Sequence, residues 1–350
     1  VWSVGGDAVY KSTNGGAYFH WDNEGNTGVM TGHSFNFNPH RPDSLFLGFQ
    51  DKNAAWTPDG GETWKYINWT GKGHGHNYGG IMTEFVTVTS NADCWGCDRM
   101  LSVKPAGRDI NTTDKQVKKE KVAYVDPHNE SVVFMGEYRS TDNGHSWSRM
   151  DDCDAVFIHN YDPDGNKELI GYHGSKIVQS TDHGNNWQVV KDIGNNNIED
   201  IAYDYKNDKF YVVTRKNIYT NSLFVYEQSS DKLTNISNQI PDDQFNNRSF
   251  NSVAVDPQKP EIVYVSQSIQ TYCNDNAIVR STDAGNNWEV LTRAPRHNNE
   301  QFGQDGARMP TWIRVHPETR YLWVGTGCFG TWKMAPPNIK NNVAKPKIVA

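Results

Sequence analysis

The sequence predicts an all-β fold, a β-propeller of seven four-stranded blades with eight as the alternative, and three observations carry that reading. One turn-forming octapeptide recurs along the chain, a second apolar repeat recurs upstream of most of its copies, and glycines and aromatics are abundant. Thirty Gly stand beside twelve Trp, sixteen Tyr and fourteen Phe. Short aromatic-rich strands joined by tight turns use residues in that way; long helices do not.

The octapeptide is the stronger signal. Ser140-Thr-Asp-Asn-Gly-His-Ser-Trp147, Ser180-Thr-Asp-His-Gly-Asn-Asn-Trp187 and Ser281-Thr-Asp-Ala-Gly-Asn-Asn-Trp288 are nearly superimposable. Thr57-Pro-Asp-Gly-Gly-Glu-Thr-Trp64 is a fourth copy, and Ser12-Thr-Asn-Gly-Gly-Ala-Tyr-Phe19 a degenerate fifth. In such a hairpin turn the Asp carboxylate accepts bonds from nearby backbone N–H groups, Gly supplies a left-handed conformation, and the aromatic folds back beneath. The carboxylates of Asp142, Asp182 and Asp283 are therefore expected to be structural.

The second repeat reads apolar strand, Asn/Asp/His-Pro turn, apolar strand. Clear copies are Val122-Ala-Tyr-Val-Asp-Pro127 with Val132-Val-Phe-Met-Gly136, and Val253-Ala-Val-Asp-Pro257 with Ile262-Val-Tyr-Val265. Ile313-Arg-Val-His-Pro317 with Leu322-Trp-Val-Gly325 is a third. Pro sits in the turn, where its missing N–H costs no ladder bond. First strands then fall at about residues 34–38, 84–88, 122–125, 156–160, 200–203, 252–255 and 312–315. Residues 1–337 are expected to make one domain and 338–350 a C-terminal tail after the Pro-rich stretch that begins at Pro336, so the last blade is expected to borrow its outer strand from residues 9–21, closing the ring with both chain ends.

Composition narrows the function classes. The net charge is -7 with scattered Lys and Arg, which disfavours nucleic acid. No apolar run is long enough for a membrane helix. Val1 in place of Met reads as a processed chain or an excised piece, with further domains of a longer chain as possible associates. Cys94-Trp-Gly-Cys97 has the spacing of a redox pair without the βαβ setting that chemistry uses, and no second Cys/His element completes a zinc site. No cofactor or metal is expected.

Propeller topology separates two faces. Pro turns and Asp turns lie on one; loops after second strands and crossings between blades lie on the other, and the candidate residues come from the latter. They are Asp51, Glu137, Tyr172 and His173 as catalytic candidates, with His74, His76, Tyr78, Arg215 and Arg308 as substrate-binding candidates. Asp51 and Glu137 could form the acid pair of a glycosidase, or merely pair with Lys52 and Arg139. Tyr172, His173, His74, Tyr78 and Arg215 could instead serve a uronate lyase, a His or Tyr removing a proton while Arg offsets the sugar carboxylate.

The octapeptide resembles the Asp box of the sialidase-type and tandem-propeller xyloglucanase-type families, where it joins the third and fourth strands of a blade. Lys11-Ser-Thr-Asn-Gly-Gly-Ala-Tyr-Phe-His-Trp-Asp22 is similar to a stretch of the xyloglucanases whose Asp is catalytic; Asn14 stands there in this chain. Ala307-Arg308-Met309-Pro310 only approximates the arginine motif of sialidases. The resemblance implies a secreted or surface-displayed propeller directed at a polysaccharide or oligosaccharide, with glycoside hydrolysis as the activity. The alternatives are a uronate polysaccharide lyase and a non-catalytic glycan- or protein-binding propeller, such as an adhesin or virion component.

Overall fold

The computed structural model describes residues 2–5, 8–11, 20–21, 35–49, 54–67, 76–92, 99–105, 115–117, 122–159, 168–194, 196–217, 220–241, 250–267, 277–293, 310–326, 331–337 and 347–349. Among them, β1 (Trp2–Gly5), β2 (Ala8–Lys11) and β3 (His20–Trp21) form a three-stranded sheet. A second three-stranded sheet holds β4 (Leu45–Gly48), β5 (Ala54–Thr57) and β6 (Lys65–Ile67). Six four-stranded antiparallel sheets follow, each pairing its strands in chain order.

The first is β7 (His76–Met82), β8 (Val86–Ala92), β9 (Arg99–Pro105) and β10 (Lys115–Val117). The second is β11 (Ala123–Val125), β12 (Val133–Met135), β13 (Tyr138–Ser140) and β14 (Ser148–Arg149). The third is β15 (Ala155–His159), β16 (Leu169–His173), β17 (Lys176–Ser180) and β18 (Gln188–Asp192). The fourth is β19 (Asn197–Asp204), β20 (Lys209–Asn217), β21 (Thr220–Glu227) and β22 (Lys232–Asn235). The fifth is β23 (Phe250–Val255), β24 (Val263–Gln267), β25 (Ala277–Ser281) and β26 (Glu289–Arg293). The sixth is β27 (Pro310–Val315), β28 (Leu322–Thr326), β29 (Thr331–Met334) and β30 (Lys347–Val349).

The first strands β7, β11, β15, β19, β23 and β27 pack one on the next, and β4 packs on β7. This is a β-propeller, with six four-stranded blades among the described residues where seven or eight were expected. The miscount has two sources. Residues 35–38 read as a first strand, yet they are buried coil with one isolated bridge, Asn38 to Arg41. Among the described residues of the N-terminal stretch, β1, β2 and β3 pair with one another, and the outer strand of the last blade is β30, which pairs Thr331 with Val349 inside the expected tail. A three-residue edge strand is too short to leave a periodic signal.

The β7–β10 blade also begins earlier than expected. Residues 84–88 span a turn and the start of β8, so the first strand is β7 and not the segment read from the sequence. Its glycines explain the omission. A Cβ on Gly80 would lie 2.4 Å from the Val88 carbonyl oxygen and 2.8 Å from the Phe46 ring, so close packing keeps that strand free of apolar alternation.

The repeated turns behave alike. In Ser140–Trp147, Asp142 Oδ1 accepts the Ser146 N–H at 2.8 Å and the Ser140 hydroxyl at 2.8 Å, while Oδ2 accepts the Ser146 hydroxyl at 2.6 Å. Equivalent bonds hold Asp59, Asp182 and Asp283. Three of these turns are also seated on the previous blade: a Cβ on Gly184, at φ +76, would meet the Phe134 ring at 2.7 Å. The Pro turns lie at the same end, since the Asn143 N–H donates to the Ser131 carbonyl and the Ala284 N–H to the Glu261 carbonyl.

A buried charge pair holds the centre. Arg314 on β27 donates through Nη2 to Asp200 Oδ1 at 2.8 Å and through Nη1 to Oδ2 at 3.0 Å, with Asp200 fully buried. Asp200 Oδ2 also accepts the Ser252 hydroxyl at 2.5 Å and the Val253 N–H at 3.0 Å. Arg314 Nε donates to Asn36 Oδ1 at 2.8 Å, and Asn36 passes its own amide to the Ala123 carbonyl at 2.9 Å. The guanidinium stacks 4.2 Å above the Trp312 ring. Asn36, Phe37, Tyr124, Phe157, Val253 and Arg314 line the central cavity, whose room for solvent is about 20 Å³, enough for about one water.

Two outcomes follow from these contacts. Asp200→Ala strands a buried guanidinium and is expected to cost about 3–5 kcal/mol, read as a lowered urea midpoint; an unchanged midpoint would show that the pair is dispensable. The Ser146 hydroxyl and N–H hold the Asp142 carboxyl down from 3.8 to about 2, and Thr63 does the same for Asp59. A carboxyl depressed in the fold contributes stability that is present above its unfolded value and lost as pH falls towards the folded one. Thermal stability should therefore drop between about pH 4 and pH 2, less steeply in Asp142→Asn.

Candidate functional site

Three neighbouring blades bring the described candidates to the end of the ring opposite the Asp turns. Glu137 sits in the tight β12–β13 turn, where its carbonyl accepts the Met150 N–H at 2.8 Å. Its side chain is nearly buried, and Arg149 Nη2 lies 3.3 Å from Oε2. The alternative pairing with Arg139 is not formed; Arg139 reaches Asn185 Oδ1 on the next blade at 2.9 Å.

Tyr172 and His173 end β16. The Tyr172 ring stacks on Phe157 at 5.4 Å, and Phe157 stacks on Trp312 at 6.1 Å, so a run of rings leads from this rim to the Arg314 pair. Burial pushes the Tyr172 phenol well above its ordinary range, and the carboxylates of Asp154, Glu199 and Glu137 push it further. The phenol is thus a neutral hydroxyl on a partly buried ring. His173 Nδ1 lies 3.6 Å from Asp154 Oδ1, while Asp154 Oδ2 accepts the Gly174 N–H at 2.8 Å.

The Ile198 N–H donates to the Gly174 carbonyl at 3.2 Å, which sets the β16–β17 hairpin beside the start of β19. Arg215 on β20, opposite Asn197, places Nε 3.3 Å from Glu199 Oε1, a charge contact without the alignment of a hydrogen bond. Glu137, Tyr172, His173 and Arg215 thus share one rim, where Arg149, Asp154 and Glu199 pair with the first, third and fourth of them. Sequence register identifies the first four. Glu199 escapes it because it precedes the apolar part of a first strand, and Arg149 because it follows an Asp turn on an outer strand.

The remaining candidates divide differently. Asp51, His74 and Arg308 lie outside the described residues. His76 and Tyr78 belong to β7, an inner strand and not a crossing loop, and their side chains are likewise outside the described set. Cys94 and Cys97 are also outside it. Among the described residues no group of His, Cys, Asp and Glu is arranged to hold a metal ion, and no helix is long and apolar enough to cross a membrane.

No protein-family model matches this sequence, and no curated protein does. The fold has solved counterparts. A GH74 xyloglucanase from Xanthomonas campestris superposes with a TM-score of 0.65 at 14% identity, over 91% of this chain and 54% of the enzyme. The GH74 enzyme of Niastella koreensis gives 0.63 at 14% identity, over 90% and 53%. The extracellular domain of a hybrid two component system from B. thetaiotaomicron gives 0.56 at 11% identity, over 89% and 38%. The chain thus spans about half the length of the two enzymes, and at these identities the likeness defines the propeller fold.

Beneath the rim, Cys153 is a fully buried free thiol whose pKa is raised by that burial. It should resist iodoacetamide in the folded protein and react on adding urea, as peptide mass mapping would report. Labelling of the native chain would mean that this rim opens.

Proposed function

We propose that this chain is a glycan-directed propeller that hydrolyses a polysaccharide at the rim carrying Glu137, Tyr172, His173 and Arg215. The observation that carries the reading is three rim carboxylates from separate blades, Glu137, Asp154 and Glu199, which lie within 3.6 Å of Arg149, His173 and Arg215 respectively, beside the partly buried Tyr172. Glycoside hydrolysis needs two carboxyl groups flanking the scissile bond, one to protonate the leaving oxygen and one to attack or activate water. Glu137 is assigned the first duty, being shielded from solvent. Asp51 remains the proposed partner, with Asp154 beside His173 as the described carboxylate available for the same duty.

The other parts suit a sugar. Tyr172 offers a neutral hydroxyl, and Arg149 and Arg215 supply donors for sugar oxygens. His74, His76, Tyr78 and Arg308 are proposed to extend the binding surface along the polymer. The repeated Ser-Thr-Asp turns are proposed to be Asp boxes, a reading their shared carboxylate bonds support, and the protein is proposed to work outside the cell, as an extracellular domain among the structural counterparts suggests.

The test is a screen of Glu137→Gln against the parent on neutral and uronic polysaccharides, following reducing-end release and the ultraviolet absorbance of unsaturated uronates. Loss of an acid–base group should lower turnover about 100-fold or more while folding is kept. Parent activity seen only as unsaturated product would transfer the rim to lyase chemistry. A parent inert on every glycan, or a fully active Glu137→Gln, would overturn the assignment.

A further inference from the structure

A second cavity, of about 330 Å³, lies at the opposite end of the ring, between the β4–β6 sheet and the β27–β30 blade. Two contacts spanning 273 residues bracket it. On one wall His316 accepts the Glu318 and Thr319 N–H groups at Nδ1, at 3.2 and 3.1 Å, so its proton resides on Nε2 and is directed to Asp43 Oδ1 at 3.2 Å. Burial lowers the His316 pKa, which keeps the imidazole neutral and the hydrogen-bond direction fixed. Asp43 itself is 54% exposed.

On the other wall Lys333 Nζ donates to the Gly60 carbonyl at 3.0 Å and lies 3.8 Å from Glu62 Oε1. Its ammonium lies over the Trp323 and Tyr321 rings at 5.5 and 5.8 Å. The cavity therefore combines an aromatic wall, a fixed carboxylate, a second exposed carboxylate and one ammonium donor. Its size falls at the small end of ligand sites, suited to one or two sugar rings.

We infer that this seam cavity is a second binding site for a neutral sugar unit, held by Asp43 and Glu62 accepting its hydroxyls, Lys333 donating to it and Tyr321 covering a ring face. Charge selects the ligand: Asp43, Asp59 and Glu62 face a single ammonium, so an acidic sugar meets net repulsion. The inference rests on these lining residues and not on the rim chemistry, which lies at the other end of the ring.

Saturation-transfer NMR on the intact chain, with glucose, galactose, xylose and glucuronate as separate probes, tests it. At least one neutral sugar should receive saturation and glucuronate none. Thr319→Trp, which fills the cavity from its turn, and Tyr321→Ala, which removes a wall, should each weaken that signal about tenfold or more. Glu137→Gln should leave it intact. A Thr319→Trp protein that fails to fold leaves Tyr321→Ala to decide. Absence of transfer to every neutral sugar, survival of the signal in a folded cavity variant, or its loss in Glu137→Gln alone would overturn the site, the last by assigning the sugar to the rim.

Discussion

The Asp200–Arg314 pair is the constraint on which the ring depends. First strands converge on the axis, where backbone edges are paired but polar side chains have no water to meet. One guanidinium answers several of these demands at once, since it bonds Asp200 on β19, Asn36 ahead of β4 and, through Ser252, the inner strand β23. Breaking such a pair by deleting one member is costly, whereas a matched apolar replacement need not be. Its value here is therefore specificity: it fixes which inner strands sit opposite one another.

At the periphery the same problem is solved by repetition. The described Asp turns satisfy themselves locally, and three of them rest a glycine on an aromatic or aliphatic side chain of the preceding blade, Gly144 on Val103, Gly184 on Phe134 and Gly285 on Tyr211. Charge contacts between blades add to this, as Asp126 to His183 and Asp256 to Arg320. The closing seam differs. There His316 replaces the Asp of the Pro turn, still accepting two backbone N–H groups, and its other nitrogen turns to Asp43 on the wall of the seam cavity.

The parts of this architecture that repeat were legible in the sequence. Ser180-Thr-Asp-His-Gly-Asn-Asn-Trp187 announces its turn because every residue in it has a local task, and Val253-Ala-Val-Asp-Pro257 announces its strand because β23 is buried on both faces. Non-repeating parts were not. Gly79-Gly80 hides β7 because contact with Phe46 forbids side chains there, and Phe35-Asn-Phe-Asn38 mimics a strand because burial, without pairing, also selects alternating apolar residues. At the rim, Glu137, Tyr172, His173 and Arg215 could be read from register alone. The ion partners Arg149 and Glu199 could not, since pairing between blades depends on the radius of the closed ring.

The filled axis has a bearing on what can be handled at either mouth. At the level of the Arg314 pair the axial cavity has space for about one water, too little for a polymer to thread. Any strand-like ligand must drape across a mouth, tangent to the ring, with both of its ends left in bulk solvent. Recognition of that kind reads a segment and is indifferent to termini, so long molecules offer as many landing places as they have repeats.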